Sequence, residues 1–402
     1  MRNWVGAAVI AGCLSVVPLA RAQFSPPSGG SGTLPEPVPF ATGAGMDAAP
    51  SFPGVAVDPS VVAGGAGGPP SLSEDSPGAF SEKKFDCENA WFFDLGAVGL
   101  QRQSLPNGPI AVFDPQNLDT GTPPPAGSPV AQRLSNIHTP MNFGVGGSLG
   151  LIQGCNTFEF TGFIIFENSR SIRAARPGQI DLFFVNPPLG FEGDNGLWLQ
   201  ADRSTTTFSS TLGDAELNYR YANPAIKETE LITGFRYLDL REKLSTFTDD
   251  GTAFPLVNGK IDPVRAATYS IQSHNRLVAP QLGFEWAHSV APWATLGFGG
   301  KTALGANFLE QRSSLVRGDG FVGFNNVKND IRFSQAYEIK AFVDFHILER
   351  ARIHLGYNAM WFSNVADVGD QYNFNLQNNS SIRNGSGSVF FHGPVAELQF
   401  LF

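Results

Sequence analysis

From Trp91 to Phe402 the chain reads as a succession of runs in which apolar and polar residues alternate, and the connections between those runs are sorted by length. A period of two is the side-chain period of a β-strand. Ten such runs are legible, at about 91–100, 141–151, 157–167, 205–221, 230–244, 268–288, 293–308, 331–347, 351–364 and 389–402. The first connection is long, passing Pro106 and Pro123 to Pro125, and the second is the short turn 153–156. The remaining connections keep this rhythm, giving five long and four short in all. Transmembrane barrels of the outer-membrane type are built this way, with long extracellular loops and short periplasmic turns. A soluble β-sandwich has no reason to sort its loops. The sequence therefore predicts an all-β, antiparallel up-and-down transmembrane barrel of about ten strands, or twelve if a long loop holds a further hairpin. An even count places both chain ends on the periplasmic side.

The last run makes the same point. Ala396, Leu398, Phe400 and Phe402 alternate with Val395, Glu397, Gln399 and Leu401, so one face is apolar and aromatic. In a soluble domain that face and its unpaired edge would be liabilities. In a closed barrel the edge pairs with the first strand and the aromatic face meets lipid. Leu398, Phe400 and Phe402 look like the C-terminal assembly signal of bacterial outer-membrane barrels, which implies the barrel-assembly machinery as a partner beside outer-membrane lipid.

At the amino end, Arg2, an apolar stretch over 4–19 and Ala20, Arg21 and Ala22 read as a signal peptide, 1–22, cleaved before Gln23. Ile10 to Cys13 also resembles a lipoprotein box, but its apolar run is short, so simple cleavage is preferred. Residues 23–84 are rich in Pro, Gly, Ser and Ala and read as a disordered periplasmic extension. Residues 85–402 form the barrel. Outside the signal there is no run of about 18 apolar residues, which excludes helical spans. Gly (45) and Phe (34) are abundant, as many short strands require, and the net charge of −9 argues against nucleic acid as a partner. Cys13 leaves with the signal. Cys87 and Cys155 then fall at the same rim, where they either bridge or stay as two thiols.

One stretch carries a family likeness. Ile232, Thr233, Gly234, Phe235, Arg236, Tyr237, Leu238 and Asp239 open a segment, 232–244, that resembles a signature of the bacterial family of putative beta-barrel porins numbered seven. Gly356 and Tyr357, then Trp361 to Val365 and Gly369 to Gln371, resemble its second signature. Residues 215–218, Asn275, 281–283 and 392–402 also fit. The likeness covers roughly 85–402. It departs at Ala366, Asp367 and Val368, where the family commonly has a basic residue and a proline. The resemblance implies an outer-membrane barrel and carries over no functional residues.

If the aromatic or aliphatic face of each strand meets lipid, the opposite face lines the lumen. It carries Glu159, Glu216, Arg220, Arg236, Glu285 and Lys301 on the earlier strands. Glu338, Lys340, Asp344, His346, Arg352, His354 and Glu397 follow. The tight turn at Glu349 sets Asp344 opposite His354 and His346 opposite Arg352. Ten strands leave little room beyond what side chains fill. The expected lumen is a polar plug with at most a narrow water path for small polar solutes. Lipid-facing Trp91, Tyr221, Trp286 and Phe402 form one girdle, with Trp361 in the other.

Enzymatic readings are weaker. The chain has six His; His138 and His274 flank loops, and Asp249 and Asp250 sit in one, but no spacing couples them. Asp249, Asp250 and Gly251 supply too few carboxylates for a calcium loop. No hydrolase, metalloprotease or nucleotide motif is present. The expectation is no enzyme, no cofactor and no metal, and a structural or narrow porin-like barrel. A non-conducting adhesin is the alternative, with a rim-loop hydrolase behind it; the oligomeric state stays open.

Overall fold

The structure is a computed structural model that describes residues 89–114, 127–192, 197–222, 226, 228–251, 262–377 and 387–402. All belong to one compact unit. The signal peptide, the boundaries at 22 and 84, and Cys87 lie outside the described residues.

Twelve strands follow in order: β1 (Ala90–Arg102), β2 (Pro109–Phe113), β3 (Val130–Arg133), β4 (Met141–Gln153), β5 (Asn156–Leu182), β6 (Ala201–Ala222), β7 (Thr229–Asp249), β8 (Ala266–Ala291), β9 (Ala294–Arg317), β10 (Val322–Leu348), β11 (Ala351–Val365) and β12 (Gly387–Leu401). Ten of them close a ring, each antiparallel to its neighbours, in the order β1, β4, β5, β6, β7, β8, β9, β10, β11, β12 and back to β1. The first long connection holds the extra hairpin, β2–β3, which pairs with the far end of β5 instead of entering the ring. The seam between β1 and β12 runs from Phe92 opposite Leu401 to Arg102 opposite Phe391. Phe402 and Trp91 finish it with two backbone bonds, 2.8 and 3.2 Å.

Closure matters because a strand in lipid has no water to satisfy an open edge. Among the described residues no helix is long and apolar enough to cross a membrane. All ten ring strands present large apolar side chains outward, for example Phe93, Phe143, Phe160, Leu217, Phe235, Leu282, Leu304, Ile339, Trp361 and Leu398. That band is the surface of a barrel dissolved in hydrocarbon.

Two loop boundaries differ from the sequence reading. The stretch after Glu167 continues as β5 to Leu182, through an irregularity at Gly178 with φ +61°. The stretch around 318–329 is mostly the start of β10, and only a four-residue turn separates it from β9. A membrane needs about 9–11 residues per tilted strand, yet β5 to β10 have 21 to 27. Beyond the apolar band these strands carry Ser, Thr and Arg outward, as at Ser169, Arg173, Thr205 and Thr207. Their outer face loses its apolar alternation there, and with it the strand signal. β1, β4, β11 and β12 have only 13 to 15 residues, so the wall is tall on one side.

The barrel lumen as candidate functional site

Bonds that skip strands define the lumen. Lys301 on β9 reaches Glu216 on β6 at 2.7 Å, Arg236 on β7 reaches Glu338 on β10 at 2.8 Å, and Arg102 on β1 reaches Glu242 on β7 at 2.5 Å. None of these pairs sits on adjacent strands, so each bond crosses the interior.

Nearest the short turns, His354 Nδ1 and Arg352 Nη1 both bond Asp344, at 2.7 and 3.1 Å. The register sets Asp344 opposite His354 and His346 opposite Arg352, and His346 meets Thr295 Oγ1 at 3.0 Å. Glu397 lies among Asp94, His354 and Lys340. One layer higher, Arg220 joins Glu159, Glu230 and Glu285, at 3.5, 2.6 and 2.8 Å, and Lys340 joins Glu285 at 2.7 Å. Above that, Arg236 holds Asp214 and Glu338, with Glu216 at 3.6 Å. Lys301, Gln281 and Asn218 complete the shell of Glu216. The Arg236 guanidinium is 1% exposed. Burial of that depth is tolerated only because every charge has partners.

All thirteen residues singled out from the sequence occupy these layers. Asp214 and Glu230 belong to them as well and were missed, although each lies an even number of residues from a predicted lumenal position on its strand. The carboxylates of Asp214, Glu216 and Glu338 are close enough to share a metal ion. Arg236 and Lys301 already stand between them, so the ligand positions are taken by cations.

An apolar belt follows. Val98, Leu100, Ile165, Leu212, Leu238, Leu240, Leu277, Ala279, Ala303, Ala336, Met360, Phe362, Phe391 and Val395 form one buried cluster drawn from nine of the ten ring strands. β4 contributes glycines at its inward positions; a Cβ on Gly146 would lie 3.0 Å from Val98. The polar column seen in the sequence is thus interrupted by a cluster of buried apolar side chains.

Beyond the belt, the segment after β11 turns into the barrel. Arg102 bonds Glu242 and, at 3.0 Å, Asp367. Asn275 bonds both backbone groups of Ala366, at 3.0 and 2.8 Å, and accepts from Asn307 at 3.0 Å. A larger apolar core then fills the tall end, where Phe184, Trp198, Tyr372 and Leu376 from the connections pack against Phe208, Leu244, Tyr269 and Leu315 of the wall. Burial pushes the Tyr372 hydroxyl up, and it bonds Thr246 at 2.8 Å. In the β9–β10 turn the Arg317 guanidinium holds the Asp319 carboxyl down at about 2.

Asn275→Leu tests the hold on that segment. It strands a buried N–H and a buried C=O, each at a cost of about 1–3 kcal/mol. Hydrogen exchange at the Ala366 amide should accelerate at least about tenfold, and unchanged exchange would mean that the segment is held by its apolar contacts alone.

His274, which no spacing in the sequence coupled to an acid, meets Asp239 at 3.0 Å, with Arg241 bonded to the same carboxylate. The contact follows from the β7–β8 register and lies on the outer wall, away from the lumen. Cys155 sits half-buried in the first short turn.

A closed ten-strand ring with an apolar band outside and ion-paired layers within is a porin-like outer-membrane β-barrel. Residues 199–388 match the family described as Putative beta barrel porin-7, the family that the sequence resembles. The outer membrane protease OmpT from Escherichia coli is similar in structure at 12% identity and a TM-score of 0.36, covering 78% of this chain and 97% of that one. The Pseudomonas putida toluene transporter TodX is similar at 10% identity and a TM-score of 0.29, covering 78% and 89%. A Pseudomonas aeruginosa FadL homologue is similar at 9% identity and a TM-score of 0.23, covering 78% and 89%. No curated protein is found to match the chain.

Proposed function

We propose that the protein is a sealed structural barrel of the outer membrane, with both ends of the ring in the periplasm and the tall loop-capped wall outside. The observation that carries this reading is the buried apolar belt across the lumen. An ion entering the charged layers would have to lose its hydration to pass side chains that offer it no ligand, and bare charge in an apolar medium is costly. The ion-paired layers then act as a rigid filling, and the apolar outer band binds lipid. Its assembly uses the barrel-assembly machinery, which reads the strand ending in Leu398, Phe400 and Phe402. The reading includes no catalysis: the Asp239–His274 pair is tied up by Arg241 on a wall with no nucleophile bonded to it.

Purified protein added to a planar bilayer should produce no discrete current steps at any applied voltage. Regular steps of constant size would replace this reading with the narrow porin-like channel. The outer tip gives a reason to keep surface binding as a second role, since Leu189 is 88% exposed there beside Phe321 and Val322.

A further inference from the structure

The outer wall changes chemistry abruptly along β7 and β8. Outward positions on β7 run Leu231, Phe235 and Tyr237, then Asp239, Arg241 and Lys243; on β8 they run Phe284, Leu282 and Val278, then Arg276, His274 and Gln272. The ladder sets Tyr237 opposite Val278, then Asp239 opposite Arg276, Arg241 opposite His274, and Lys243 opposite Gln272. Arg312 of β9 lies on the far side of Gln272. One two-residue step therefore separates hydrocarbon-facing wall from a cationic row.

Part of that row is balanced internally. Asp239 is shared by Arg241 and His274, and Glu310 accepts from Arg312 at 2.7 Å. Two further cations lie beside these pairs, and the Glu167 carboxylate lines the same hollows as Lys243. The Arg276 Nε is buried against the wall with no hydrogen-bond partner. Lys243 projects between two adjoining hollows of about 470 and 350 Å³, and lines both. This surplus stands out in a chain with 36 acidic and 27 basic residues. Cations at the level where an apolar wall ends are placed to meet the phosphates of a lipid whose chains lie on that wall. Charge-assisted bonds from Arg and Lys to phosphate are the strong kind, and basic clusters beside a membrane surface recognise anionic headgroups. A free phosphate would gain nothing from the apolar strip formed by Tyr237, Val278 and Leu282 below.

We propose that Lys243 and Arg276, flanked by Arg241 and Arg312, bind the phosphate-bearing headgroup of a lipid in the leaflet at the long-loop end. The inference rests on the membrane reading above. The test uses the full chain in phosphatidylcholine nanodiscs doped with phosphatidic acid, with native mass spectrometry counting the lipid retained. Wild type should retain phosphatidic acid against excess inorganic phosphate. Lys243→Gln/Arg276→Gln should bind it at least about tenfold more weakly, while Arg350→Gln, at the opposite end of the barrel, should bind it as wild type does. Equal retention by the double variant overturns the site, and displacement by inorganic phosphate overturns the lipid as its occupant. The two readings separate on gels. If unboiled wild-type protein shows the mobility shift of a folded barrel and still retains no phosphatidic acid, only the headgroup site falls. If the shift itself is missing, the membrane reading falls, and this inference with it.

Discussion

Arg236→Met is expected to prevent assembly of the barrel, or to yield one that loses its compact gel mobility at a far lower temperature than the parent. The guanidinium is 1% exposed and bonds Asp214 and Glu338, with Glu216 close by. Methionine fills a similar volume, so the loss is one of charge rather than of packing. Glu216 and Glu338 would then keep Lys301, while the buried Asp214 would lose its cation. Removing one partner from a buried ion network typically costs about 3–5 kcal/mol, a large share of the about 5–15 kcal/mol that holds a typical domain together. The companion variant Arg236→Met/Asp214→Leu removes one charge of each sign and leaves Glu216 and Glu338 with Lys301. It should regain most of the lost stability, because an apolar replacement of a whole ion pair is often neutral. Measuring the temperature at which the unboiled gel band converts to the boiled one decides it. A single variant as stable as the parent would mean that the layer is not what keeps the barrel closed.

How far the sequence carried this picture depends on where a residue sits. Inside the membrane band, strand identity and lumenal parity were both legible, because lipid on one side and ion pairs on the other impose strict alternation. The tight turn at Glu349 fixes the register of Asp344 with His354 and of His346 with Arg352, and the ladder has that register. Three kinds of feature were not legible. Above the band, water bathes the outer face, so Ser169, Ser171 and Arg173 of β5 offer no apolar alternation, and the true lengths of β5, β9 and β10 did not show. The apolar belt was hidden by the assumption that an inward face is polar; Leu212 and Leu238 have the inward parity but look like lipid-facing residues. Finally, Arg102, Glu242 and Asp367 come together only when the segment after β11 folds into the lumen. Nothing local announces that fold. The departure from the family pattern at Ala366, Asp367 and Val368 falls on this segment, where Asp367 supplies the carboxylate that Arg102 holds.

The second large effect is expected at the closing seam, from Gly393→Val. Gly393 lies on β12 with inward parity, and a Cβ placed there would sit 2.0 Å from the Gly99 carbonyl oxygen of β1. Across the same seam, a Cβ on Gly96 would sit 2.2 Å from the Ala396 carbonyl oxygen. Real side chains do not approach backbone oxygens so closely, and the obstacle is main chain rather than a side chain that could swing aside. Valine at 393 must therefore push β1 and β12 apart where the ring closes. The backbone groups thus freed would face hydrocarbon with no water to replace the lost partners, at several kcal/mol each. By comparison, the two bonds between Trp91 and Phe402 finish the seam at its edge and contribute about 0.5–1.5 kcal/mol apiece. Gly393→Val should accordingly give no band with folded-barrel mobility and no protease-resistant core. Gly356→Ala is the control, since its added methyl would first meet the His354 Nε2 at 3.3 Å, the far end of a side chain that can shift. If Gly393→Val assembles with the yield of Gly356→Ala, the two strands are not held as closely as the seam geometry requires, and closure must be carried by the ladder elsewhere.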